Sequence, residues 1–156
     1  MSGLDKAVAD FLDQRRIAVA GVSRSGKEAA NAVYRKLKGA GYEVYPVNPA
    51  ADEVEGDACY PTISAVPAEV DAVFIATHPD VTGTVMRECA DLGIRRVWVH
   101  RSFGQGSVSD EAVEYGRAQG LTVIPGGCPM MHVEPVDVGH KCMRWVLRVT
   151  GKLPRT

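Results

Sequence analysis

The chain has 156 residues, of which 46% are hydrophobic and 24% charged, and eighteen Lys and Arg against nineteen Asp and Glu leave a formal net charge of -1. That size predicts one domain over residues 1–156, large enough to bury a core without covalent staples. The balanced charge excludes a general polyanion binder such as a nonspecific nucleic-acid protein, and no apolar run approaches the roughly 18 residues of a membrane span.

The first segment, Leu4 to Arg15, is predicted helical, with Leu4, Val8, Phe11 and Leu12 on one side. Its acids Asp5, Asp10 and Asp13 are unlike a secretory leader. Ile17 to Ala20 is a continuous apolar run ending at Gly21, the pattern of a strand covered on both faces. Glu28 to Lys38 carries Ala29, Val33 and Leu37 at helical spacing and stops at Gly39 and Gly41. Tyr42 to Val47 is a second strand closed by Asn48-Pro49, with Pro46 expected to cut its pairing short. Ala50 to Pro67 is a longer excursion with a short strand or turn at Cys59-Tyr60.

Ala72 to Ala76 is a third strand, and Pro79 opens a helix running through Val81, Val85, Met86 and Cys89 to Leu92-Gly93. Val97 to Val99 is a fourth strand. Ser107, with Asp110 three residues on, is expected to cap a helix carrying Ala112, Val113, Tyr115 and Ala118. Leu121 to Ile124 is a fifth strand, and a closing helix from Val133 or Val136 to Val149 places Val136, His140, Met143 and Leu147 near one face. This alternation predicts an α/β fold: a Rossmann-like parallel sheet of about five strands with helices on both faces. The four cysteines (Cys59, Cys89, Cys128, Cys142) form no C-x-x-C pair, which fits a reduced, cytoplasmic protein.

Open parallel sheets bind ligands beyond the carboxyl ends of their strands, so the residues after each strand are the candidates. After the first come Gly21, Val22, Ser23, Arg24, Ser25, Gly26 and Lys27. Gly21 permits a tight turn, the hydroxyls and turn N–H groups can donate to phosphate, and Arg24 and Lys27 add charge. The spacing is neither G-x-G-x-x-G nor a Walker loop, since Glu28 stands where Ser or Thr would ligate magnesium. Asn48 and Pro49 follow the second strand, where a dinucleotide-binding domain would place an acid for the ribose. This weakens an NAD reading without removing it. Thr77, His78 and Pro79 follow the third strand, His100 to Gly104 the fourth, and Gly126, Gly127, Cys128 and Pro129 the fifth. Each tip also has a plain structural reading as a cap, a turn or a core plug; Phe103 could receive a pantetheine or fill the core.

Catalytic readings are thinner. Cys128 and His132 could form a nucleophile pair, with Glu134 as the nearby third member. Cys128, His132, His140 and Cys142 match no ordinary zinc spacing.

The segments IAVAGVSRS (17–25), GYEVYPVNP (41–49), GDACYPTI (56–63), VDAVFIATHPD (70–80), VWVHRSFG (97–104) and GLTVIPGGCPMMH (120–132) together resemble the small single-domain CoA-binding proteins. Their domain is similar to the N-terminal CoA-binding domain of the succinyl-CoA synthetase alpha subunit. The resemblance implies that Gly21, Val22, Ser23, Arg24 and Lys27 hold the CoA phosphates and that Asn48 and Pro49 border the nucleotide. It further implies that Thr77 and Pro79 line the middle of the site, that the tip around His100 flanks the pantetheine, and that Cys128 and Pro129 belong to a final cysteine-containing loop. The expected function is capture of coenzyme A or an acyl-CoA without complete ligase chemistry, because the synthetase's phosphohistidine and ATP-grasp parts have no counterpart here. The alternatives are an NAD-linked regulatory or oxidoreductase domain, a Cys128-dependent thiol enzyme or sensor, and a subunit of a ligase-like assembly. A homodimer or a ligase-like protein is the expected partner.

Overall fold

The structure, a computed structural model, describes residues 2–154. Helix α1 (Gly3–Leu12) is capped by Ser2, whose side chain accepts from the Asp5 N–H while Asp5 accepts from the Ser2 N–H. Strand β1 (Arg16–Ala20) follows, then α2 (Ala29–Gly39) and β2 (Glu43–Val47). The excursion contains a hairpin, β3 (Glu53–Val54) and β4 (Asp57–Ala58), which the residue pattern does not announce. Then come β5 (Ala72–Ile75), α3 (Pro79–Asp91), β6 (Arg96–Val99), α4 (Asp110–Ala118), β7 (Thr122–Pro125), a short 3-10 turn at Pro129–Met131, and α5 (Val138–Val149).

The five main strands form one parallel sheet in the order β2-β1-β5-β6-β7. Alternate residues of each strand serve opposite faces. Ile17, Val19, Phe74, Trp98 and Ile124 meet Phe11 of α1, Leu37 of α2 and Leu147 of α5. Ala18, Val73, Ile75, Val97 and Val123 meet Met86 of α3 and Val113 of α4. The doubly covered, almost wholly apolar strands are the reason for the continuous apolar runs in the sequence.

Two local expectations are corrected. Ser109, not Ser107, caps α4, accepting from the Ala112 N–H; Ser107 is buried, and its carbonyl accepts the Thr82 hydroxyl at 2.7 Å. Pro46 does not end the pairing of β2, which continues through Val47 opposite Ala20. The Pro46 carbonyl points to the outer edge, where it accepts the Tyr60 N–H at 3.0 Å, so the missing proline N–H costs the ladder to β1 nothing. Tyr60 itself bridges to Val47. Trp98 is a core residue, its indole N–H donating to the Gly126 carbonyl at 2.8 Å, whereas Trp145 is 65% exposed on the outer side of α5.

Candidate functional site

The sheet changes direction at β1. From β1 the chain crosses to β2 on one side, and from β2 it returns to β5 on the other. The loops after β1 and β5 therefore diverge above neighbouring strands and open a crevice between them. Gly21 sits at its base with φ +104°, and a Cβ there would lie 2.2 Å from the Ala76 carbonyl oxygen.

Above this base lies a cleft of about 650 Å³. Its walls are Gly21, Val22 and Ser23 from the first loop, Asn48 and Pro49 after β2, and Thr77 and His78 after β5. Pro61 and Thr62, with Val81, Thr84, Val85 and Glu88 of α3, complete the lining. The lining is mostly apolar with a few polar groups, as small-molecule sites are, and the volume is in their range.

The sequence-predicted residues do not all meet in this cleft. Gly21, Val22, Ser23, Asn48, Pro49 and Thr77 line the cleft. Arg24 and Lys27 are exposed on the same loop but not in its wall. Pro79 is the first residue of α3 and faces a smaller groove with Arg87 and Tyr115 between α3 and α4.

His100, Cys128 and Pro129 lie apart from the cleft. The His100 ring packs edge-on against Phe74, its Nε2 is 3.2 Å from the Ser102 hydroxyl, and burial pushes its pKa down. Cys128 and Pro129 are buried below the β7 end, and Cys128 joins the cluster of Phe11, Trp98 and Met131. Phe103 does not plug the core; it is 65% exposed.

The first loop uses part of its donors within the protein. The Gly21 N–H goes to the Val47 carbonyl, the Ser23 N–H to Asn31 Oδ1 at 2.8 Å, the Gly26 N–H to the Ser23 carbonyl, and the Lys27 N–H to Ser25 Oγ. These four amides are spent inside the protein. The hydroxyls of Ser23 and Ser25, 2.8 Å apart, use one of their two protons on each other and keep the second. The donors left for an anion on this loop are thus a hydroxyl, the side chains of Arg24 and Lys27, and the N–H groups of Val22, Arg24 and Ser25, for which the described residues supply no acceptor.

Asn48 is likewise occupied. Its Nδ2 donates to the Val22 carbonyl and its Oδ1 accepts the Ala50 N–H, each at 2.8 Å. It shapes the cleft by tying the ends of β1 and β2 together. A second clamp, Asn31, was missed in the sequence. Fully buried in α2, it bonds both the N–H and the carbonyl of Ser23. The available signal was a polar residue beside the apolar face made by Ala30, Val33, Tyr34 and Leu37.

The Cys128 thiol is 3% exposed, and burial pushes its pKa up to about 11. His132 stacks at an angle beside Trp98, and burial, then the Arg144 charge, hold its pKa down at about 4. Among the described residues no group of three His, Cys, Asp or Glu is placed to hold a metal ion. His140 instead pairs with Asp137 at 2.6 Å. Among the described residues no helix is long and apolar enough to cross a membrane.

Comparison with known proteins gives a consistent picture. The CoA binding domain family matches residues 15–134. The chain is 38% identical over 111 residues to the ADP-forming acetate–CoA ligase II of Archaeoglobus fulgidus, covering 69% of this chain and 16% of that protein. It is 30% identical over 126 residues to the alpha subunit of the ADP-forming acetate–CoA ligase II of Pyrococcus furiosus, covering 76% of this chain and 27% of the subunit. The chain thus spans a minor part of these curated relatives. Among solved structures, a hypothetical protein from Pyrococcus horikoshii OT3 superposes with a TM-score of 0.77 at 28% identity, covering 85% of this chain and 91% of that one.

Proposed function

Because the chain belongs to the CoA binding domain family, we propose that it captures coenzyme A or an acyl-CoA in the cleft above β1, β2 and β5, with no complete ligase chemistry of its own. The observation that carries this reading is the convergence of Gly21–Ser23, Asn48–Pro49 and Thr77 on one mostly apolar cleft at the sheet's reversal point. In this reading Arg24 and Lys27 reach the phosphates from the exposed side of the loop, and the walls of Val22, Pro61, Val81 and Val85 take the less polar parts of the ligand. His100, Cys128 and Pro129, proposed from sequence as further contacts, would meet the ligand only if its far end crossed toward β6 and β7. The setting that fits is the reducing cytoplasm, since the four cysteines are free thiols.

The competing readings draw less support. A dinucleotide domain would use a carboxylate after β2 for the ribose diol; Asn48 has none, and its amide is engaged. A thiol enzyme needs an accessible thiolate, and Cys128 is buried and neutral at physiological pH. A ligase-like partner remains part of the proposal, because the relatives are named as ligases and a ligase subunit.

Native mass spectrometry of the purified protein, followed by calorimetric titration with CoA, acetyl-CoA and NAD, tests the reading. The expected result is saturation by a CoA species and none by NAD. Absence of heat with CoA and acetyl-CoA alike overturns it.

A further inference from the structure

The turn of the β3–β4 hairpin lies against the first loop, and its leading residue is Glu55. Among the described residues Glu55 is the one non-glycine with positive φ, at 55°. A long side chain is a poor choice there, since Asn, Asp or Gly suit the first position of such a tight hairpin turn. The side chain, however, is engaged. Glu55 Oε1 accepts from Asn31 Nδ2 at 2.9 Å and from Arg35 Nη1 at 2.6 Å. Arg35 Nη1 also donates to the Gly26 carbonyl at 3.2 Å, and Asn31 holds both backbone groups of Ser23. One carboxylate oxygen thus ties the two side chains that grip the loop at Ser23 and at Gly26.

We propose that Glu55 is a positioning residue: through Asn31 and Arg35 it makes the hairpin a strap that holds residues 21–27 in the shape that receives the ligand's phosphates. Ser23 fixes which way the Asn31 amide faces, and Glu55 accepts the proton that Ser23 leaves over. With Oδ1 on the Ser23 N–H, the Nδ2 group has two protons to place; one goes to the Ser23 carbonyl and the other to Glu55. Without the carboxylate, one buried N–H loses its acceptor and the loop loses its anchor to the hairpin. The consequence for the ligand rests on the CoA-capture reading; the strap itself does not.

The test measures two quantities in wild type, Glu55→Gln, Glu55→Asn and Asn31→Ala: hydrogen exchange at the Ser23 amide, and the affinity for CoA beside that for pantetheine, which lacks the phosphates. Glu55→Gln keeps an acceptor oxygen at the same reach, and is expected to retain Ser23 protection and CoA affinity. Glu55→Asn suits the turn but is one methylene too short, and is expected to speed Ser23 exchange and weaken CoA by about tenfold, the weight of one hydrogen bond. Pantetheine affinity and the melting temperature should change little in Glu55→Asn. Asn31→Ala should abolish Ser23 protection. Unchanged Ser23 exchange in Glu55→Asn overturns the strap, and so does equal weakening of CoA and pantetheine. If wild type binds no CoA, the capture reading falls, while the exchange data still decide the strap.

Discussion

A Cβ placed on Gly21 would come within 2.2 Å of the carbonyl oxygen of Ala76, so the end of β1 and the end of β5 touch through the absence of a side chain. The obstacle is backbone, which cannot swing aside, and φ at Gly21 is +104°. Gly21→Val, or even Gly21→Ala, is therefore expected to destabilise the protein by about 3 kcal/mol or more, through clash and unfavourable φ together. Chemical denaturation of purified variants measures this. The steric reason is the neighbouring strand, so the loss should appear with no ligand present; a variant as stable as wild type would disprove the contact.

Arg24 and Lys27 are exposed and make no contribution to the core. Replacing both by Ala should leave the melting temperature within about 2 °C, as surface substitutions do. CoA affinity should fall by about tenfold and depend less steeply on salt, because charge-assisted contacts to phosphate are screened by ions. Calorimetry at two ionic strengths separates the outcomes, and an unaltered affinity would move the phosphates elsewhere.

The Cys128 thiol is buried and held up at about 11, while Cys142 is exposed. Alkylation of the native protein at neutral pH is expected to mark Cys142 first and Cys128 only upon unfolding. Cys128→Ser puts a hydroxyl into an apolar cluster and should cost about 1–2 kcal/mol in stability with little change in CoA affinity. Rapid native labelling at Cys128, found by peptide mass mapping, would revive a thiol role.

His132 gives the fold an acid limb. Its folded pKa is about 4, below the unfolded value near 6.5, chiefly through burial. Between these values the unfolded chain binds a proton that the folded protein refuses. Stability from this residue is complete above the unfolded pKa and declines as pH falls toward 4, by about 2 kcal/mol after allowance for its open edge. His132→Gln should flatten urea midpoints between pH 7 and 4.5. An identical slope in wild type and variant would assign the acid limb to other groups.

The fold was legible because its strands are covered on both faces. Apolar runs such as Ile17–Ala20 and Ala72–Ile75 have one reading when they alternate with helical segments ending in glycine, and the resemblance to CoA-binding proteins rests on the same runs and on the turns that close them. The β3–β4 hairpin was not legible. Two residues per strand are too few to establish a period of two, and the turn carries Glu55 where Asn or Asp would have signalled it.

The site was legible at the level of loops and not of groups. Strand topology alone directs attention to Gly21, Asn48 and Thr77, since parallel strands carry their following loops to one edge of the sheet and the loops on either side of the reversal part to leave a crevice. Which atoms remain available there depends on hydrogen bonds between residues far apart in the chain. Asn48 takes the Val22 carbonyl from 26 residues away, and Asn31, which takes the Ser23 N–H, is itself bonded to Glu55 24 residues on. Burial is decided in the same manner: Cys128 and Phe103 both follow strand ends, yet one joins the core and the other faces solvent. Local sequence specified strands, helices and turns through periodicity and backbone preference; tertiary structure decided which polar groups are spent and which side chains meet water, because both depend on packing partners that no local pattern contains.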